Sequence, residues 1–197
     1  VLVCRDLVGA VLAGGKSSRL GQDKTTLVFN KISLLERSIN LLYEVVTEVY
    51  VLGKDPALCK ANADGWFQDE IKGIGPIGGI FTGLKNIGKP LLVISCDLPF
   101  LDKITLQELI EGRKRRQKTE VMTTFFHPKT NFIEALVAIY ENESLKYIEK
   151  AIANKIFKLS RAIPEHVRNH ILWEKDLKVF FNINYPQDLE VLGIYDA

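Results

Sequence analysis

Residues 12–24, LAGGKSSRLGQDK, bring Gly14, Gly15, Lys16, Arg19 and Lys24 into one short stretch directly after an apolar run. Adjacent glycines carry no Cβ and tolerate φ > 0, so backbone N–H groups there can close on an anion. Arg19 offers a planar fork for phosphate oxygens, and Lys24 a point charge on a flexible stem. A glycine pair with two cations fits a triphosphate. Gly15-Lys16-Ser17 has the G-K-[ST] ending of a P-loop, but the leading Gly would have to be residue 10, which is Ala10; Gly9 is one place too early. The dinucleotide fingerprint G-x-G-x-x-G fails as well, because Gly14 and Gly15 are adjacent and no third Gly follows at the right offset. For any isolated Gly-Gly pair, a flexible loop with solvated charges is the plain alternative.

Two aspartates also end apolar runs. Asp97 follows LLVIS, and a carboxylate there belongs at a ligand rim, where a nucleoside triphosphate brings Mg²⁺ that takes one or two carboxylates plus phosphate oxygens and water. Capping the next helix is the competing role for Asp97. Asp69 closes GWFQD, where a simple turn aspartate is the alternative. Asn182 and Asn184 stand at alternate positions of FFNINY and so share one face if that segment is a strand. A buried asparagine ladder is the rival reading there.

These groups need a frame. LVGAVLA (7–13), EVYVLG (48–53) and PLLVISCDLPF (90–100) read as buried strands, with GWFQD (65–69) a weaker one. Between them, LLERSINLLYEVV (34–46) places Leu34, Leu35, Ile39, Leu41, Leu42 and Val45 on one side of a helix capped by Ser33. A short helix is expected around 55–62, and a Gly/Pro loop over 72–80 feeds a helix to Asn86. A further helix runs from about Thr105 to Arg116. EVMTTFF and FIEALVAIY (132–140) read as strands and SLKYIEKAIANKI (144–156) as an amphipathic helix; KVFFNINYPQDLEVLGI supplies a strand, a turn and a helix starting near Pro186. Strand, loop and helix in alternation predict a parallel sheet covered by helices on both faces, with its ligand site beyond the carboxyl ends of the strands. No repeat or linker interrupts the pattern, so one domain over 1–197 is the simplest organisation.

Composition narrows the function. The 197 residues include 26 basic and 24 acidic side chains, a formal charge of +2, which gives no whole-molecule case for nucleic acid or an anionic membrane. The apolar N-terminus is cut by Arg5 and Asp6, so it reads as strand rather than membrane span or signal segment. Three cysteines without C-x-x-C spacing suit a reducing compartment, and a cytoplasmic location is expected. RKRRQK (113–118) reads as a solvated helix end, since no aromatic residues are interleaved for base stacking. His166 and His170 lack the Glu and third ligand of a zinc site. Cys96 reads as a small core residue.

Taken whole, LAGGKSSRLGQDK resembles the L-A-G-G-x-S-x-R-[ML]-G-x-D-K motif of the molybdenum cofactor guanylyltransferases, nucleotidyltransferases that make molybdopterin guanine dinucleotide. FQDEIKGIGPIGGI (67–80), SCDLPF (95–100), EALVAIY (134–140) and FFNINYPQDLE (180–190) are similar to further family motifs in the same order, covering nearly all of the chain. The resemblance implies a Rossmann-like α/β fold of the GT-A nucleotidyltransferase type, a three-layer α/β/α sandwich on a mostly parallel sheet. It implies transfer of GMP from GTP to the terminal phosphate of molybdenum-loaded molybdopterin, with Mg²⁺ held by Asp97. Arg19, Lys24 and Asp97 become the expected catalytic residues. Leu12, Ala13, Gly14, Gly15, Lys24, Asp69 and Asp97 are expected to hold the nucleotide. Asn182 and Asn184 are expected beside the acceptor or the metal, and His127 in FFHPKTN at the border of the acceptor site. A monomer is expected, with cofactor delivery proteins and molybdoenzyme chaperones as partners. One departure concerns the base: where family members often carry an Asn-rich stretch, this chain has Leu52-Gly53-Lys54. Backbone groups of Gly75 to Gly79 could still read guanine. Use of CTP or another acceptor, or a non-catalytic nucleotide-binding module, are the alternatives.

Overall fold

The computed structural model describes residues 3–14, 20–21, 23–59 and 61–193. In chain order its strands are β1 (Val8–Leu12), β2 (Val28–Phe29), β3 (Ile32–Ser33), β4 (Val49–Leu52), β5 (Gly65–Phe67), β6 (Leu91–Ser95), β7 (Met122–His127), β8 (Phe132–Tyr140) and β9 (Arg168–Leu172). The α-helices are α1 (Leu34–Tyr43), α2 (Pro76–Ile87), α3 (Lys103–Arg113), α4 (Ser144–Ala153) and α5 (Leu159–Ala162). Among the described residues seven strands form one sheet in the order β5-β4-β1-β6-β8-β7-β9, and β2 pairs with β3 as a separate hairpin. β8 alone runs against the rest: it is antiparallel to both β6 and β7, while β9 is parallel to β7. The sheet is therefore mostly parallel, as the alternation of elements predicts.

Side-chain alternation sorts the two faces. Val11 of β1 points into a core with Leu35, Ile39 and Leu42 of α1 and Leu106 and Leu109 of α3. Ala10 and Leu12 point the other way, toward Ile77 and Ile80 of α2, Ile148 of α4 and Leu159 of α5. Every residue of β1 and β6 is buried, the pattern of parallel strands covered on both sides. This is the three-layer sandwich. Ser33 caps α1 by accepting from Glu36 N–H at 3.1 Å, and Asp102 caps α3 through Thr105 N–H at 2.8 Å. Pro76 opens α2, whose carboxyl end stops at Gly88 with φ +69°.

The structure departs from sequence expectation in several places. The helix expected over 55–62 is a 3₁₀ turn, Pro56–Cys59. The loop expected over 72–80 already contains the first turns of α2, because Pro76 sits where helices accept proline. The strand expected across FFNIN does not form: Leu177–Phe180 is a 3₁₀ helix and 181–184 pairs with no strand. Phe180 packs into the first core and Ile183 into a third cluster with Leu20, Leu27, Leu34 and Leu189. The backbone of this segment is used elsewhere, with Ile183 N–H donating to Asp97 O at 3.1 Å. β9 and the β2–β3 hairpin were not foreseen, the first because RNHIL is polar and the second because each strand has two residues. Among the described residues no helix is long and apolar enough to cross a membrane.

The basic run after α3 is only partly solvated. Arg113 grips Glu141 with Nε at 2.7 Å and Nη2 at 2.9 Å, and Arg116 Nε adds a contact at 3.0 Å. Glu141 is 3% exposed, so these guanidiniums neutralise a buried carboxylate rather than await an outside partner. Arg113→Met leaves that carboxylate undercompensated. It is expected to cost about 3 kcal/mol in a urea unfolding titration, and adding Glu141→Gln is expected to recover part of the loss.

Candidate active site

Four strands end side by side. Leu12 of β1 is paired with Leu52 of β4 on one side and Ser95 of β6 on the other, and Leu52 with Phe67 of β5. The lacing continues past them: Ala13 N–H donates to Leu52 O at 2.9 Å, Gly53 N–H to Phe67 O at 2.7 Å and Cys96 N–H to Leu12 O at 3.2 Å. Gly14, Lys54, Asp69 and Asp97 thus leave one common rim. Because β4 lies on one side of β1 and β6 on the other, that rim is a topological switch point, where open α/β sheets take their ligands.

Asp97 is surrounded by donors there. Its Oδ2 receives Lys24 Nζ at 2.9 Å and its Oδ1 receives Ser95 Oγ at 2.6 Å. With its amide turned so that the nitrogen faces the carboxylate, the orientation its neighbours require, Asn182 donates to Oδ1 at 2.6 Å and Oδ2 at 3.2 Å. Lys24 Nζ also donates to Asn184 Oδ1 at 2.8 Å. Four of the expected site residues, Lys24, Asp97, Asn182 and Asn184, are therefore brought together, although the two asparagines come from irregular chain rather than from a strand face. Asp188 holds that chain in place by accepting from Asn184 N–H at 2.7 Å and Tyr185 N–H at 2.8 Å. Ser95 and Asp188 were not singled out from the sequence. Ser95 stands two places before Asp97, and Asp188 sits in the first turn after Pro186, an ordinary capping position.

Asp69 is in the opposite condition. Its Oδ1 is buried with no hydrogen-bond partner among the described residues, and burial pushes its pKa up. Around it stand Gly14, Gly53 and Gly79, where added Cβ atoms would lie 3.4–3.5 Å from its carboxylate oxygens. Gly53 has φ +97°, and a Cβ there would lie 2.6 Å from the Cα of Gly14, so glycine is required for the two backbones to touch. Leu12, Gly14, Asp69, Gly79 and Ser95 line a cavity of about 650 Å³, within the range of small-molecule sites. Asp69 lines this cavity and its carboxylate is short of donors, which fits a ligand that brings hydroxyl or N–H groups. Ala13 is buried at the same strand end. Gly15 and Arg19, both expected to contact phosphate, lie outside the described residues.

Lys54, a departure in the sequence comparison, turns toward the motif loop. Its Nζ pairs with Asp23 and donates to Thr25 Oγ1 at 2.7 Å. Burial alone would raise the Asp23 pKa; the hydrogen bonds from Lys54 and Thr25 outweigh it and bring the pKa down. Asp23 in turn caps the 3₁₀ turn that carries Lys24, accepting from Thr25 N–H at 3.0 Å.

A second cavity, of about 320 Å³, adjoins the first: both are lined by Pro76 and Leu136, and Asn182 forms part of the second. The metal-ligating atoms that Asp97, Ser95, Asn182 and Asn184 can offer are oxygens, a set suited to a hard cation such as Mg²⁺, with the Lys24 ammonium against the same carboxylate. Cys96 offers no thiolate, since full burial pushes its pKa up. Among the described residues no three His, Cys, Asp or Glu side chains gather to hold a metal unaided. One carboxylate suffices for Mg²⁺ when phosphate oxygens and water complete its shell.

Asp69 generates a stability prediction. Because burial raises the folded carboxyl above its unfolded value, ionisation counts against the folded state, and stability falls as pH climbs from the unfolded value of about 3.9 through the folded one. Asp69→Asn removes that loss. The urea midpoint at neutral pH is expected to rise, the gain is expected to vanish below about pH 3.9, and nucleotide affinity measured by calorimetry is expected to fall.

Residues 9–168 match the MobA-like NTP transferase domain. A Clostridium perfringens protein named probable molybdenum cofactor guanylyltransferase is 30% identical over 193 residues, covering 93% of this chain and 94% of its own length. A Geobacillus protein of the same name is 28% identical over 195 residues, with coverages of 93% and 96%. Among solved structures, molybdopterin-guanine dinucleotide biosynthesis protein A from Archaeoglobus fulgidus superposes with a TM-score of 0.74 at 26% identity, over 94% of this chain and 96% of that one. The 2-C-methyl-D-erythritol 4-phosphate cytidylyltransferase of Thermus thermophilus shares the fold alone, with a TM-score of 0.63 at 13% identity over 93% and 95%. With most of its length matching one family model and nearly all of it aligned to a relative at 30% identity, this chain belongs to the MobA-like NTP transferase family.

Proposed function

We propose that the chain is a molybdenum cofactor guanylyltransferase, which transfers GMP from GTP to the terminal phosphate of molybdenum-loaded molybdopterin. The observation that carries this reading is the meeting of Lys24, Asp97, Asn182 and Asn184 beside two adjoining cavities at the switch point. One cavity contains the motif residues Leu12 and Gly14 with Asp69, and suits the nucleoside. The other lies past Asn182 and suits the acceptor. An oxygen of the acceptor phosphate attacks the α-phosphorus of GTP, the bond from that phosphorus to the bridging oxygen breaks, and pyrophosphate leaves with the electron pair. The attacking oxygen is already anionic near neutral pH, so no protein base is needed. Alignment and charge neutralisation do the catalytic work.

Lys24 is placed to neutralise phosphate charge, and Arg19 is assigned the same role from the motif. Asn184 positions the Lys24 ammonium, and Asn182 with Ser95 fixes the Asp97 carboxylate. Asp97 would hold Mg²⁺, which supplies charge neutralisation at the transferring phosphate. Asp69 would accept from nucleoside hydroxyl or N–H groups. The free thiols of Cys4 and Cys96 accord with the cytoplasmic setting proposed here. A second reading concerns the base, since Lys54 is committed to Asp23 and Thr25 rather than to the nucleotide cavity. It keeps the same chemistry with CTP.

Calorimetric titration of GTP, CTP, ATP and UTP with Mg²⁺ separates these readings. GTP binding that disappears in Lys24→Ala is the expected result; preferred CTP binding moves the assignment to cytidylyl transfer, and no nucleotide binding defeats the proposal. In a pyrophosphate-release assay, Lys24→Ala and Asp97→Ala are each expected to lower turnover by at least ~100-fold. Wild-type turnover in Asp97→Ala would remove that residue from the mechanism.

A further inference from the structure

The hairpin of β7 and β8 is irregular next to the second cavity. Its pairing runs from Met122–Tyr140 to Thr124–Ala138, then resumes at Phe126–Ile133, so Glu134, Ala135, Leu136 and Val137 stand opposite Phe125 alone. Such an excess of residues on one strand arches it away and re-aims its side chains. The arch is pinned from inside: Tyr140 Oη donates to Ala135 O at 2.7 Å and Thr124 Oγ1 to Glu134 O at 3.0 Å. It brings a carboxylate, Glu134, to the cavity wall beside Leu136 and Pro76.

Glu134 is the acid of a wall that is mostly apolar, its other polar side chains being Asn131, Lys158, Ser160 and Asn182. Glu134 Oε1 lies 2.7 Å from His127 Nε2, a pair that leaves Oε2 uninvolved. The His127 ring is itself fixed, lying against Phe132 at 6.1 Å and edge to face with Phe180 at 5.7 Å. Burial pushes the Glu134 pKa up and the His127 pair acts against it. At the cavity stand two aromatic rings that the fold does not bury: Phe132 is 55% exposed and Phe157 39%. Exposed aromatics beside a cavity mark a surface kept for a ligand, and flat rings suit a flat heterocycle.

We propose that Glu134 recognises the acceptor by accepting hydrogen bonds from the amino and ring N–H edge of its flat heterocycle, with Phe132 and Phe157 providing the apolar surface on which that ring rests. The inference rests on the guanylyltransferase reading for the identity of the acceptor, a pterin whose 2-amino-4-oxo edge offers two adjacent donors. Guanine carries the same donor edge, so the assignment to the acceptor depends on place: Glu134 and Asp69 line different cavities that share Pro76 and Leu136. Asn182, at the Asp97 side of the acceptor cavity, then marks the end where the acceptor phosphate enters, and Glu134 the part that reads the ring.

The test uses Glu134→Gln, which replaces one of the two acceptor oxygens with an amide donor and removes the charge, and Phe157→Ala, a half-exposed position whose loss does not threaten folding. Binding of 6-hydroxymethylpterin is followed by quenching of its fluorescence, and binding of GTP with Mg²⁺ by calorimetry. Both variants are expected to weaken pterin binding about tenfold or more while GTP affinity stays within about twofold of wild type. Pterin binding that is unchanged in both variants overturns the proposal. GTP affinity that falls with Glu134→Gln while pterin binding holds also overturns it and assigns the carboxylate to the nucleotide base. A wild-type protein that binds pterin through Glu134 but no GTP would defeat the guanylyltransferase reading and leave the heterocycle site standing.

Discussion

The ammonium of Lys24 is the point at which three distant parts of the chain meet. It contacts Asp97, 73 residues away, and Asn184, 160 residues away. Neither contact is cheap in chain entropy, yet closure cost grows only slowly with loop length, so the burden falls on apolar packing nearby. Leu20 and Leu27 on either side of Lys24 pack with Ile183 and Leu189 beside Asn184, and Leu34 at the start of α1 completes that cluster. A backbone bond from Ile183 N–H to Asp97 O at 3.1 Å ties the same segment to the end of β6. The polar contacts are thus held by an apolar clamp just outside them. In such a half-buried setting each partner matters more than it would in water.

Much of the frame could be read from the chain because its signals are long and apolar. FIEALVAIY forms β8 over the residues expected, the Ser33 cap and the buried runs of β1 and β4 fall within a residue of expectation, and β6 starts within a residue of it but stops at Ser95, where the acidic loop begins. What was hidden follows from packing rather than propensity. VFFNIN has the β-branched and aromatic residues of a strand, but its side chains serve two cores and its backbone serves Asp97. RNHIL has few strand formers and is nonetheless β9, an edge strand whose His170 stacks on Phe126 with 4.8 Å between ring centres.

The site divides in the same way. The motif named Lys24, Asp69 and Asp97 and the paired asparagines, because residue type and local spacing are visible in a sequence. Their partners were not visible. Lys54 looked like a loss at the base site and instead braces the turn carrying Lys24, through Asp23 and Thr25. His127 and Glu134 are seven residues apart across a tight hairpin, and only the arch in β8 reveals that the acid reaches a cavity.

The two aspartates at the rim show how one fold can hold a site ready for two kinds of event. Asp97 is saturated: lysine, serine and asparagine satisfy it within the chain itself, so on the proposed function a metal ion held there would take the place of one of these partners. The polar groups around Asp97 are already oriented by the fold, and pre-oriented groups are the condition under which electrostatic stabilisation of a transition state is most effective. Asp69 is starved: its buried oxygen has no donor among the described residues, and Gly14, Gly53 and Gly79 beside it have no side chain to offer one. A ligand that supplies the missing donors gains the hydrogen bond and removes a penalty already present in the folded protein. On the proposed function, the fold gives up stability at Asp69 for affinity and keeps it at Asp97, whose contacts can be exchanged.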